Sequence, residues 1–229
     1  MKAAIVVFPG TNREKDMAMA LTHVSGKKPA MVWHKDTSLP DCDLIVLPGG
    51  FSYGDYLRCG AMAAHSPIMR EVIDRAKKGT RLLAVCNGFQ MLVETGLVPG
   101  ALLRNNSLHF ICKQIHLRVE NTATGFTGKF AKGQIIQVPI AHGEGNYFVQ
   151  PDALKKLQDG DQIAFRYCTP SGEIANEANP NGSVSNIAGV FNEGKTILGM
   201  MPHPEDAVLP ACGNTSGTPL FTSIVEALA

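Results

Sequence analysis

The chain has 229 residues, 45% of them hydrophobic, with 21 basic and 20 acidic side chains and a net charge of +1. That length supports one sizeable core, burying roughly 70–75% of the surface of the unfolded chain. The even charge balance, with no basic stripe, argues against a nucleic-acid partner, and no apolar run approaches the roughly 18 residues that span a bilayer.

Met1 to Phe8 lacks the small-residue cleavage site of a secretory signal and leads into Pro9-Gly10-Thr11-Asn12, so Ala3 to Phe8 reads as a buried first strand. Met17, Ala20, Leu21 and Val24 then recur at helical spacing. Met31 to Trp33 and Leu44 to Leu47 read as two more strands. Ile68, Met69, Val72, Ile73 and Ala76 form a second helical stripe, ending at Gly79. Arg81 to Val85 is the next strand, and Cys86 to about Thr95 fits a helix. This alternation predicts a parallel sheet with helices on both faces.

The middle of the chain changes character. Leu102 to Val119, Gln134 to Ile140 and Ile163 to Tyr167 read as strands without intervening helices, with one helix near Asp152 to Leu157. Ile187 to Phe191 and Ile197 to Met200 read as a returning hairpin that turns at Asn192-Glu193-Gly194. Leu220, Phe221, Ile224, Val225 and Leu228 repeat at helical spacing and close the chain. With no repeat, low-complexity stretch or evident linker, residues 1–229 read as one α/β domain with a mixed sheet. The six cysteines, at 42, 59, 86, 112, 168 and 212, form no CxxC pair. That argues against a zinc site and a disulfide framework and for reduced thiols in the cytoplasm.

Three segments carry chemistry. Leu47-Pro48-Gly49-Gly50-Phe51-Ser52-Tyr53-Gly54-Asp55 follows a strand, and ligands of open parallel sheets bind beyond the carboxyl ends of the strands. Gly49 and Gly50 can take positive φ and let backbone N–H groups approach a ligand, although two glycines equally suit a plain tight turn. No phosphate-loop pattern is present. Cys86 ends an apolar strand and begins Cys86-Asn87-Gly88-Phe89-Gln90. A sharp strand-to-helix turn exposes a nucleophile at the top of a sheet, and a helix N-terminus favours thiolate. Gly88 keeps this turn open. The N–H of Asn87 points at a developing oxyanion, with a second donor from the Gly49-Gly50 loop. Free cysteine is more often simply buried, and the third segment tips that balance. In Met201-Pro202-His203-Pro204-Glu205, two prolines hold His203 extended, and residues two apart in an extended stretch point the same way. Glu205 then orients one imidazole nitrogen while the other faces Cys86. Together the segments support a thiol enzyme acting on an amide.

These residues resemble the class I (triad) glutamine amidotransferases. Cys86, Gly88 and Gln90 are similar to the family's C-x-G-x-Q nucleophile motif, and His203 and Glu205 match its other two triad positions. Phe8 to Asn12, Pro48 to Arg58 (with FSYGDYLR), Ala141-His142-Gly143-Glu144-Gly145, Asn179 to Ser183 and Gly199 to Glu205 extend the resemblance over nearly the whole chain. They resemble the branch that serves purine biosynthesis. The resemblance implies a flavodoxin-like single domain with a mixed, mostly parallel central sheet. It implies hydrolysis of L-glutamine by Cys86, His203 and Glu205, with Gly49, Gly50, Phe51 and Asn87 at the oxyanion and substrate site. It places Gln90 and His142 against the substrate, although Gln90 could equally turn inward to bond backbone, and His142 could equally be structural. It also implies delivery of ammonia to a large ATP-using synthetase subunit, which converts formylglycinamide ribonucleotide to formylglycinamidine ribonucleotide, together with a small third subunit. No cofactor or metal is expected in this chain, and ATP and Mg²⁺ would belong to the synthetase.

Three positions depart from the pattern: Ala84 replaces a glycine, and Asn146 and Asp206 replace basic residues. The residues alone leave open a glutaminase subunit for another acceptor, a cysteine hydrolase of similar fold, or a non-catalytic subunit. His23, His34, His65, His109 and His116 read as structural, the last two in strand-like segments. The sequon in Arg104-Asn105-Asn106-Ser107 reads as a loop or interface element.

Overall fold

The computed structural model describes residues 1–55 and 59–229. Tyr56, Leu57 and Arg58, part of the segment that supports the resemblance, lie outside the described residues. The described residues form eleven strands: β1 (Ala3–Val7), β2 (Ala30–Trp33), β3 (Leu44–Leu47), β4 (Arg81–Val85), β5 (Ala101–Leu103), β6 (Ile111–Val119), β7 (Ile135–His142), β8 (Asn146–Phe148), β9 (Ile163–Cys168), β10 (Ile187–Phe191) and β11 (Ile197–Met200). The helices are α1 (Glu14–Ser25), α2 (Cys59–Ala64), α3 (Pro67–Lys77), α4 (Asn87–Glu94), α5 (Pro151–Asp159) and α6 (Thr218–Ala227).

One nine-stranded sheet runs β2-β1-β3-β4-β11-β10-β9-β6-β7, and β5 pairs with β8 separately. The pairing directions leave β10 and β6 opposed to the other seven strands, so the sheet is mixed and mostly parallel. β3, β10 and β11 are buried at every position, as expected of strands covered on both faces. β7 instead alternates buried and partly exposed residues, with one face toward solvent. α1 packs on α6, and α4 packs on α2 and on the ends of β3 and β4.

The hairpin of β10 and β11 and the closing helix lie where the sequence pattern places them. One local expectation changes. His109 lies outside any strand, in the loop before β6. The sequence pattern gives no sign of α2. Its small residues let it lie close to α4: a Cβ on Gly60 would stand 2.6 Å from the Gln90 carbonyl oxygen. Ala84 sits fully buried in β4 between Leu47 and Gly199, so alanine is accommodated where glycine is expected.

Candidate active site

β3, β4 and β11 are neighbours and parallel, so the loops leaving their carboxyl ends emerge side by side. These are the Gly49-Gly50 loop, the Cys86 turn and the His203 loop. Cys86 has φ 51° and ψ −109°, a conformation that costs an L-residue about 1–3 kcal/mol and is typical of functional turns. Its N–H donates to the Met200 carbonyl at 2.8 Å, tying β4 to β11. Its own carbonyl accepts from Phe89 and Gln90 as α4 begins. Gly88 is needed for closeness rather than openness, since a Cβ there would lie 2.0 Å from the Leu47 carbonyl oxygen.

His203 and Glu205 are both buried. The imidazole Nδ1 meets Glu205 Oε1 at 2.8 Å, leaving the other ring nitrogen for Cys86, which lines the same cleft. The main-chain N–H of His203 donates to the Pro139 carbonyl at 2.9 Å. Burial opposes a charged imidazole, but the Glu205 carboxylate and the Cys86 sulfur outweigh it and hold the His203 pKa well above its ordinary value. The extended run expected through Glu205 stops at His203. Pro204 opens a short 3-10 turn, Pro204–Ala207, that swings the carboxylate under the ring. Proline is preorganised for a first helical position. Glu205 Oε2 is buried and has no hydrogen-bond partner among the described residues.

A cleft of about 70 Å³ opens over Cys86 and His203, bounded by Asn12, Arg13, Gly50, Phe51 and Ala141. The Cys86 thiol points to the Ala141 carbonyl at 3.6 Å. The two glycines do different jobs. Gly50 has a positive φ of 152°, and a Cβ there would sit 2.7 Å from Thr11 Cα. Gly49 has no positive φ; it makes room for the His203 imidazole, with a Cβ there only 2.7 Å from His203 Cε1 and 3.4 Å from Cys86 Cβ. Phe51 flanks the cleft, and its N–H is already engaged by the Gly10 carbonyl at 2.9 Å.

Asn87 and Gln90 form a relay away from the cleft. Asn87 Oδ1 accepts from the Ser52 N–H, its Nδ2 donates to Gln90 Oε1 at 2.7 Å, and Gln90 Nε2 donates to the Glu144 carbonyl at 2.9 Å. The Gln90 side chain thus binds backbone, and Asn87 stands at the start of α4, directly after Cys86.

His142 turns away from the cleft. Its Nδ1 lies 3.1 Å from Asn105 Oδ1 and its Nε2 3.5 Å from Asn181 Nδ2. Burial and the neighbouring His203 push its pKa down to about 4, so the ring is neutral. Asn105, within the sequon, is fully buried. Its Nδ2 donates to the His109 and His142 carbonyls, and its Oδ1 accepts from the Gly145 N–H. It clamps two loops beside the site.

The sequence reading missed Asn105 in this clamp role, and it missed Arg13 and Ala141 on the cleft wall. Their partners lie far apart in sequence, and no local pattern announces them. Asp206 also finds its role here, with Oδ2 3.6 Å from Arg13 Nε. Burial and the neighbouring Glu205 push its pKa upward. Asn146 Nδ2 donates to Asn106 Oδ1 at 3.0 Å, an exposed tie between loops. No group of three or more possible metal ligands occurs among the described residues.

Residues 1–217 match the CobB/CobQ-like glutamine amidotransferase domain. Phosphoribosylformylglycinamidine synthase subunit PurQ of Rhodospirillum rubrum is 55% identical over 230 residues, covering 100% of both chains. In the solved structure of PurLQS from Thermotoga maritima, one chain is 43% identical with a TM-score of 0.88, covering 100% of this chain and 99% of that one. Another glutamine amidotransferase from Thermotoga maritima shares the fold at 13% identity and a TM-score of 0.60, covering 100% of this chain and 97% of that one.

Proposed function

This chain belongs to the CobB/CobQ-like glutamine amidotransferases, among the PurQ subunits of phosphoribosylformylglycinamidine synthase, and from that premise we propose that it is the synthase's glutaminase, working through Cys86, His203 and Glu205. The observation that carries the reading is the buried His203–Glu205 pair at 2.8 Å beside a cysteine held on a strained strand-to-helix turn.

The Cys86 thiolate attacks the side-chain amide carbon of L-glutamine, and the carbonyl π electrons move onto oxygen. N–H groups near Gly50 and Asn87 receive that oxyanion. Protonated His203, held upright by Glu205, gives its proton to the departing nitrogen as the C–N bond breaks, releasing ammonia. The glutamyl thioester then takes a water, whose proton returns to His203, and glutamate leaves as the C–S bond breaks.

Ammonia in neutral water is mostly protonated and no longer nucleophilic. The product is therefore useful only if passed directly to a partner that aminates formylglycinamide ribonucleotide. A large synthetase carrying ATP and Mg²⁺, assisted by a small third subunit, fits that need. No described helix is long and apolar enough to cross a membrane. Cys42, Cys86, Cys112, Cys168 and Cys212 are all free thiols, which fits work in a reducing cytoplasm. A Cys86→Ser complex tests the reading. It should lose glutamine-dependent synthesis while keeping synthesis from ammonium salts, and retention of both would refute the assignment.

A further inference from the structure

The cleft wall carries a charged group that the mechanism above does not use. Among the described residues lining the cleft, Arg13 is the one with a permanent positive charge. Its side chain is 38% exposed, at the mouth rather than the floor. Two carboxylates pin it: Asp16 Oδ2 lies 3.2 Å from Nη1, and Asp206 Oδ2 lies 3.6 Å from Nε. Asp16 sits one helical turn along α1, and Asp206 directly follows the triad glutamate. A guanidinium has five N–H donors in a rigid fork. With Nη1 and Nε each facing an aspartate on opposite sides, Nη2 between them has no partner among the described residues and remains available to a ligand.

Glutamine must enter amide-first to reach Cys86. Its α-carboxylate, at the other end of the molecule, is then left at the cleft mouth. We propose that Arg13, positioned by Asp16 and Asp206, binds the α-carboxylate of the substrate and so selects free glutamine over glutamine whose carboxylate is blocked. The inference rests on the glutaminase reading. The aspartates matter as well: unpinned, the guanidinium would be drawn toward the buried and only partly paired Glu205, whose field it already feels. Pinned, it presents a preorganised Nη2 donor at little entropic cost. Asp16 and Asp206 offset the charge of Arg13, so recognition depends on its directed N–H group rather than on net potential.

The test uses the chain assembled with its synthetase partners. Hydrolysis of the side-chain amide is compared for L-glutamine and for L-glutamine α-amide, which lacks the carboxylate. Charge-assisted hydrogen bonds predict that wild type prefers glutamine in kcat/KM by about ten- to a hundred-fold. Arg13→Met should collapse that preference to near unity, with the loss for glutamine falling mainly in KM. Arg13→Lys should retain part of it, because the charge remains and the fork does not. If the methionine variant fails to assemble, Arg13→Gln carries the same comparison. A wild type that does not discriminate, or variants that discriminate as wild type does, would overturn the proposal while leaving the glutaminase reading intact. A wild-type complex that releases no ammonia from glutamine would sink both.

Discussion

Gly49→Ala isolates the geometry on which the catalytic reading depends. The added Cβ would stand 2.7 Å from His203 Cε1, whereas carbon atoms settle at about 3.5–4.0 Å, so the ring must retreat by about 1 Å. It has nowhere to go cheaply. Nδ1 is held by Glu205 at 2.8 Å, and the main-chain N–H by Pro139 at 2.9 Å. The other flank is Cys86 Cβ, 3.4 Å from the same point. Since Gly49 has no positive φ, alanine imposes no backbone strain, and overpacking should cost only about 1–3 kcal/mol of stability. A misplacement of about 1 Å between reacting groups lowers rate about a hundred-fold. The assay compares glutamine-dependent with ammonium-dependent synthesis in the assembled complex, because only the first uses this site. The glutamine rate should fall about a hundred-fold and the ammonium rate should stand. A glutamine rate within about threefold of wild type, a barrier change well under 1 kcal/mol, would show that the imidazole is not confined as described.

Glu205→Gln should cut kcat by about 10²–10⁴-fold and drop the His203 pKa toward its ordinary value, read from the imidazole proton resonances. The buried histidines His203 and His142 should give opposite pH signatures. His203 binds its proton more tightly folded than unfolded, so its stabilising contribution is complete below about pH 6.5 and disappears as pH rises through the raised folded value. The urea-midpoint advantage of wild type over His203→Gln should therefore shrink on the alkaline side. For His142 the folded value is near 4, so the unfolded chain takes up a proton first. Stability should fall by roughly 3 kcal/mol as pH drops from about 6.5 to about 4, and that acid slope should flatten in His142→Gln. Asn105→Ala strands the Gly145 N–H and the buried His142 carbonyl, and should cost about 3 kcal/mol in chemical denaturation.

Much of this was legible in the sequence because the signals are local. The apolar runs that became β1, β3 and β4, and the stripe of Met17, Ala20 and Leu21 on α1, follow from burial with the right period. Cys86, His203 and Glu205 stand out because a nucleophile at a strand end and a Pro-bracketed histidine are patterns visible within a few residues. What escaped depends on distant partners. The part played by Asn105 exists only because the His142 and Gly145 backbone comes to it from across a loop. Gly49 reads like any turn glycine until the His203 ring is placed against it. The orientation of Glu205 was expected for a different reason than the one found, since a 3-10 turn rather than an extended strand delivers it. α2 carries no amphipathic stripe of its own, and it lies where it does because Gly60 allows close approach to α4.

The most direct test of the catalytic claim is peptide mass spectrometry after exposure to a glutamine-mimicking electrophile, with and without excess glutamine. Accessibility alone would favour Cys112 and Cys212, which are exposed, over Cys86, which is buried. A single adduct on Cys86, suppressed by glutamine in the assembled complex, is the predicted result. Labelling that follows exposure, with Cys86 unmodified or unprotected by glutamine, would contradict the account.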